Sequence, residues 1–163
     1  MYRPDFVKLE EENFDAIVLA QAGLKRLGLA DQITQVFTAD ELIPAVGQGA
    51  LAIECRSDDT EMLDMLAKLN DEDTMWCTRG ERSFLRQLQG GCQVPMGVHG
   101  TIHKGQLTLK AIISSLDGKN CYEGELTGPK KTADIIGRNL AKALYEEGGK
   151  HIIEELIQEG VIQ

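Results

Sequence analysis

Cys92 stands in the run Gly90-Gly91-Cys92-Gln93-Val94-Pro95, between a segment of helical periodicity and one of strand character, so its thiol is offered on a loop that glycine leaves approachable. Sulfur is a soft nucleophile, and an accessible thiolate forms a thioether with an electrophilic carbon. The alternative is a small apolar residue plugging the top of a core, since free cysteine is among the most buried residue types. Lys25 and Arg26, in Ala22-Gly23-Leu24-Lys25-Arg26-Leu27-Gly28, form a second candidate. Arginine presents a planar fork matched to carboxylates, and a nearby helix N-terminus adds backbone N–H groups; simple solvation is the alternative.

Other constellations point to less. Gly47-Gln48-Gly49 has a G-x-G spacing with no third glycine and no following helix, a poor nucleotide fingerprint. His99 and His103 fall on a segment that reads as a strand, where they share a face about 13 Å apart, too far to hold one metal ion. His151 reads as a surface group. The acidic run Glu10-Glu11-Glu12 suits a solvated face, and Asp71-Glu72-Asp73 suits a helix N-terminus, where negative charge is favoured. Glu81 and Arg82 lie mid-helix beside a polar face, and an ion pair with a neighbouring element is the expectation for them.

The elements that must position these residues follow from periodicity. Phe14 to Ala20 is a nearly continuous apolar run, as in a strand covered on both faces of a parallel sheet, and Gln21 to Leu27 reads as a short helix closed by Gly28. Ligands in such sheets sit beyond the carboxyl ends of strands, which makes Ala20 to Arg26 a ligand edge. A glycine turn at 46–49 enters a second apolar strand ending at Ile53, and Ser57-Asp58-Asp59-Thr60 caps a helix with Met62, Leu63, Leu66 and Leu69 on one face. From Asp73 to Gln89, Trp76, Gly80, Phe84 and Leu88 recur every fourth residue. Gly90 is then placed as the residue past the helix end.

Beyond the cysteine loop, 94–103, 106–115 and 121–127 are strand candidates joined by tight turns at Lys104-Gly105 and Leu116-Asp117-Gly118-Lys119, an antiparallel meander. A helix starting at Thr132 carries Ile136, Leu140, Ala143 and Leu144 on one face, and Gly148-Gly149 separates it from a last helix with Ile152, Ile153, Leu156 and Ile157. The fold class is therefore α/β followed by α+β: a partial α/β region over 1–69, then a domain over 70–163 with a three-stranded antiparallel sheet covered by helices.

The 163 residues are 42% hydrophobic, enough for a core, and carry a formal charge of −9. That charge excludes a nucleic-acid surface, which needs clustered Lys and Arg. No apolar stretch approaches the roughly 20 residues needed to span a bilayer, and the N-terminus lacks a secretory apolar core, so a cytoplasmic protein is expected. Cys55, Cys77, Cys92 and Cys121 contain no C-x-x-C pair, which fits reduced thiols better than zinc ligands or a disulfide framework.

Three segments and their order then suggest a family. FDAIVLAQAGLKRLGL at 14–29, LIPAVGQGALAIECR at 42–56 and GERSFLRQLQGGCQVPMG at 80–97, with the strand-and-helix tail, resemble hydroxymethylbilane synthase, also called porphobilinogen deaminase. The resemblance implies an enzyme of tetrapyrrole and haem biosynthesis, a transferase that joins four porphobilinogen molecules head to tail and releases ammonia each time. It implies a dipyrromethane cofactor held by a thioether from Cys92. Loss of ammonia breaks the C–N bond and leaves an electrophilic methylene carbon, which the sulfur then captures by forming the S–C bond, so that aminomethyl group and thiol become thioether and ammonia. Arg26 matches a carboxylate-binding arginine for the acetate and propionate groups, and Gln48, Ala20 and Gly23 match positions lining the same cleft.

A member of that family is roughly twice this length. The N-terminal half, absent here, carries the aspartate that stabilises positive charge on the pyrrole nitrogen, so no catalytic residue is expected within this chain. By the resemblance, 14–29 belongs to domain two and 46–55 to domain one, both partial, and only 70–163, the cofactor-attachment domain, is complete. The expectations are thus a C-terminal portion inactive alone with Cys92 unmodified, partners limited to porphobilinogen and oligopyrroles, no metal, and an intact enzyme that is monomeric. The competing reading is a non-catalytic binding or structural module with a packed cysteine.

Overall fold

The computed structural model describes residues 14–88 and 95–160. It falls into two compact units, Met1–Thr38 and Ala39–Gln163.

In the first unit, helix α1 (Gln21–Arg26) ends at Leu27, and Gly28 follows with φ +71°, a left-handed conformation that glycine adopts without a Cβ penalty. The Leu29 N–H reaches back to the Leu24 carbonyl at 2.9 Å, and Leu24 is the buried residue of the helix. Phe14 to Ala20, expected as a strand, forms none. A strand needs a ladder partner for its N–H and C=O groups. Among the described residues of this unit there is no strand to supply one, and Val18 is 70% exposed.

The second unit opens with a turn at 46–49 and an extended stretch that is likewise unpaired, where a strand through Ile53 was expected. Leu51 and Ile53 face solvent. Helix α2 (Thr60–Ala67) starts as anticipated, with Asp59 accepting the Met62 N–H at 3.0 Å, but its stripe of Met62 and Leu63 stays exposed and Leu69 lies beyond its end.

Helix α3 (Glu72–Gln87) begins at Asp71, whose carboxylate accepts the Thr74 N–H at 2.7 Å. That bond is the main cause holding the Asp71 carboxyl below its ordinary range. Lys130 completes the acidic turn, with Nζ 2.7 Å from Asp73. Strands β1 (Met96–His103), β2 (Gln106–Ser114) and β3 (Cys121–Pro129) form an antiparallel sheet in that order, with Val98 opposite Ala111 and Ala111 opposite Gly124. Lys104 (φ +49°) and Gly105 (φ +76°) make the tight turn of the first hairpin. Helices α4 (Ala133–Leu144) and α5 (Lys150–Gln158) follow, joined through Tyr145–Gly149.

Alternation gives the sheet one apolar face. Val98, Leu107, Leu109, Ala111 and Ile113 are fully buried and form one core with Phe84 of α3, Leu140 and Leu144 of α4 and Ile152 of α5. The opposite face carries His99, Thr108, Lys110, Glu123 and Thr127, with the Thr108 and Thr127 hydroxyls 2.8 Å apart and Lys110 paired to both Glu123 and Asp40 at 3.1 Å. The stripe expected on α3 is the buried face: Gly80, Phe84 and Leu88 are covered.

Helices α3 and α4 touch at backbone distance through two glycines. A Cβ on Gly137 would collide with the Gly80 carbonyl oxygen and lie 2.9 Å from the Phe84 nitrogen. Beside this contact, Ser83 Oγ donates to the Asp134 carbonyl at 2.8 Å and Arg79 Nε pairs with the Asp134 carboxylate at 2.6 Å. Gly137→Ala should therefore destabilise the second unit by on the order of 2 kcal/mol through overpacking. Chemical denaturation followed by circular dichroism checks this, and an unchanged midpoint would contradict it.

Candidate functional site

On α3, Cys77, Glu81, Phe84 and Leu88 follow at intervals of four, three and four, so all four lie along the face turned to the sheet. Glu81 is only 5% exposed, and the expected ion pair is not what holds it. Its Oε1 accepts the Gly100 N–H of β1 at 2.9 Å and its Oε2 accepts the Gly47 N–H at 2.8 Å. A carboxylate accepting two N–H groups satisfies each donor with a charge-assisted bond, which offsets the cost of taking the charge out of water. The sequence carried a signal for this position, since Glu81 stands four residues after Cys77 and three before Phe84 on the apolar stripe.

The loop that Glu81 captures runs along the free edge of β1. The Val98 N–H donates to the Pro44 carbonyl at 3.0 Å, and a Cβ on Gly97 would lie 2.7 Å from the Ile43 carbonyl oxygen. Edge N–H groups of β1 are thus covered by the segment 43–47 rather than by another strand. Within the turn, the Gln48 N–H donates to the Ala45 carbonyl at 3.0 Å and the Ala50 N–H to the Gly47 carbonyl at 3.1 Å. Gly47 (φ +70°) and Gly49 (φ +87°) both need the left-handed conformation, and Gln48 is exposed between them.

The remaining candidates are placed as follows. Ala20, Gly23 and Arg26 lie on α1 and its N-cap in the first unit, where the Gly23 N–H is already bonded to the Ala20 carbonyl at 3.0 Å. Arg26 is exposed and has no carboxylate partner among the described residues. Gln48 belongs to the second unit, tied through Glu81 to α3. Cys92, together with Gly90 as the expected helix-end glycine, lies outside the described residues. Leu88, which caps α3, stands four residues before Cys92 in the sequence.

Of the other thiols, Cys55 and Cys121 are exposed and Cys77 is half-buried. Burial first, then the charges of Glu81, Asp73 and Asp71, push the Cys77 thiol up to about 11.

A helix-covered antiparallel sheet, joined through Glu81 to a glycine-turn loop, defines the class: an α+β domain preceded by short helices and unpaired extended segments. Two family models match it. "Porphobilinogen deaminase, dipyromethane cofactor binding domain" matches residues 5–64, and "Porphobilinogen deaminase, C-terminal domain" matches residues 75–146. The chain belongs to the porphobilinogen deaminase family. Its relatives include porphobilinogen deaminase of Pelobacter propionicus, 46% identical over 93% of this chain and 49% of the relative. Those of Staphylococcus carnosus (46% identical, 93% of this chain, 49% of the relative) and Geobacillus kaustophilus (44%, 97% and 55%) are similar. The chain spans about half the length of the curated relatives it matches.

Because its thiol is held far above neutral pH, Cys77 should be the inert cysteine of the second unit. Brief iodoacetamide treatment at pH 8 with peptide mapping should label Cys55 and Cys121 while leaving Cys77 largely unmodified, and Cys77 labelling should rise only as the pH nears 11. Equal labelling of all three at pH 8 would contradict the geometry.

Proposed function

We propose that this chain furnishes the cofactor-carrying portion of a hydroxymethylbilane synthase, the transferase that joins four porphobilinogen units with loss of ammonia at each step. One observation supports this above others: both family models fall on this chain in order, and the GGCQVP run that carries the resemblance lies inside the second match. In this reading Cys92 holds the dipyrromethane through a thioether, and the region 70–163 is the attachment domain, preceded by partial α/β segments over 1–69.

The residues present suit such a group. A dipyrromethane bears several carboxylates, and Arg26 offers an exposed guanidinium with no acidic partner among the described residues. Gln48 presents an amide that donates and accepts, at the apex of a turn whose two glycines leave the backbone open to close approach. Ala20 and Gly23 contribute little bulk beside Arg26. When bound, the cofactor supplies the pyrrole carbon from which the chain grows. The protein's part is to hold it at one sulfur and to fix its carboxylates.

With a formal charge of −9, the protein binds its polyanionic oligopyrroles through a few local cations against its overall field. Among the described residues no helix is long and apolar enough to cross a membrane. The reading places the protein in the cytoplasm, with the assembled enzyme a monomer and neither nucleic acid nor membrane a partner.

The test combines this chain with the separately expressed N-terminal half of the Pelobacter propionicus relative, supplied with porphobilinogen and assayed for uroporphyrin after acid oxidation. The pair should form product, and this chain alone should form at least a hundredfold less. Arg26→Ala in the pair should lower turnover on the order of tenfold to a hundredfold, the worth of a charge-assisted carboxylate contact. Turnover by this chain alone near that of an intact relative, or no effect of Arg26→Ala, would refute the assignment of roles.

A further inference from the structure

We propose that Glu81 is a positioning residue that holds Gln48 in fixed relation to the helix leading to Cys92. The inference rests on the reading that Gln48 and Cys92 serve one cofactor, but the clamp itself is visible in the geometry. The Glu81 carboxylate bonds the turn at Gly47 and the strand at Gly100 from a single point on α3, at 2.8 and 2.9 Å. Gln48 is the residue next to Gly47, and α3 ends five residues before Cys92 in the sequence.

Among the described residues, the Gly47 N–H is bonded to Glu81 alone. The turn around it consists of two left-handed glycines and an exposed glutamine, a backbone with much conformational freedom to lose. Its internal bonds, Gln48 N–H to Ala45 and Ala50 N–H to Gly47, shape the turn without attaching it to the domain. Attachment comes from the Pro44 carbonyl to Val98 and from Val46 packed against the core on the side before the turn, and from Glu81 at Gly47, the residue next to Gln48. Close packing leaves Glu81 little freedom to serve elsewhere, since a Cβ on Gly100 would lie 3.0 Å from the Cys77 Cβ one helical turn away.

Glu81→Gln separates this role from packing, because glutamine has the same shape but only one acceptor oxygen. Its amide nitrogen would face a second N–H donor, so one of the two bonds must be lost. In the full chain labelled with nitrogen-15, E81Q should make the amide of Gly47 or Gly100 exchange with solvent at least tenfold faster. The β2 amides of Leu109 and Ala111 should change less than threefold, and where Gly47 is the amide freed, the backbone order parameter of Gln48 should fall below about 0.6. E81D, one methylene shorter but still charged, should loosen Gln48 in the same way.

Unchanged order at Gln48 in both variants would overturn the proposal. Parallel acceleration of the β2 amides, or failure of both variants to fold, would assign Glu81 to domain stability alone and overturn it equally. None of these readouts involves cofactor. If the reading of Cys92 as attachment point is wrong, that failure appears separately, as wild-type chain that never acquires a pyrrole adduct when assembled.

Discussion

A single buried carboxylate joins three pieces of this chain: helix α3, strand β1 and the glycine turn. Glu81 projects from α3 between the edge of β1 and the glycine turn, and each of its oxygens takes one backbone N–H. Removing one partner of such a bond costs about 1.5–3 kcal/mol, because a charged group is left under-satisfied away from water. Glycine at Gly100 lets α3 cross the strand closely, since a Cβ there would lie 3.0 Å from the Cys77 Cβ, and segment 43–47 covers an edge that would otherwise expose free N–H groups. The turn bearing Gln48 and the helix bearing the approach to Cys92 are thereby parts of one body.

The chain before α3 and the chain from α3 onward differ in how well they satisfy themselves. From α3 onward every buried layer has a counterpart: the apolar face of the sheet meets Phe84, Leu140, Leu144 and Ile152, and the two helices interlock at Gly80 and Gly137. Before α3 the chain has apolar residues without a surface to receive them, among them Phe14, Val18, Leu51, Ile53 and Leu63. That contrast agrees with a chain spanning about half the length of its curated relatives. Residues suited to a strand stay unpaired when no ladder is available to them.

Much of the second unit was legible in the sequence because its determinants are local. Apolar residues at four-residue spacing marked the buried face of α3, Lys104-Gly105 marked the hairpin, and acidic residues at 71–73 marked a helix start that Asp71 caps. Phe14–Ala20 and Val46–Ile53 were misread as strands because hydrophobicity and β-branching state what a segment can bury, not whether a partner is present. Glu81 was misread for a related reason. A mid-helix glutamate is usually solvated, and only its alignment with Cys77 and Phe84 hinted that backbone donors from distant segments would surround it. Cys92, on which the proposed chemistry rests, was legible only through its glycine neighbours and the family its segment resembles, and it lies outside the described residues.

One sulfur of the four in the chain, that of Cys92, is proposed to carry the pyrrole primer. Peptide mass mapping tests it most directly, after this chain has been assembled with the N-terminal half of a relative and exposed to porphobilinogen. A dipyrromethane adduct confined to the peptide holding Cys92, with Cys55, Cys77 and Cys121 unmodified, is the expected result. An adduct on another cysteine, or product formation with Cys92 still a free thiol, would contradict it.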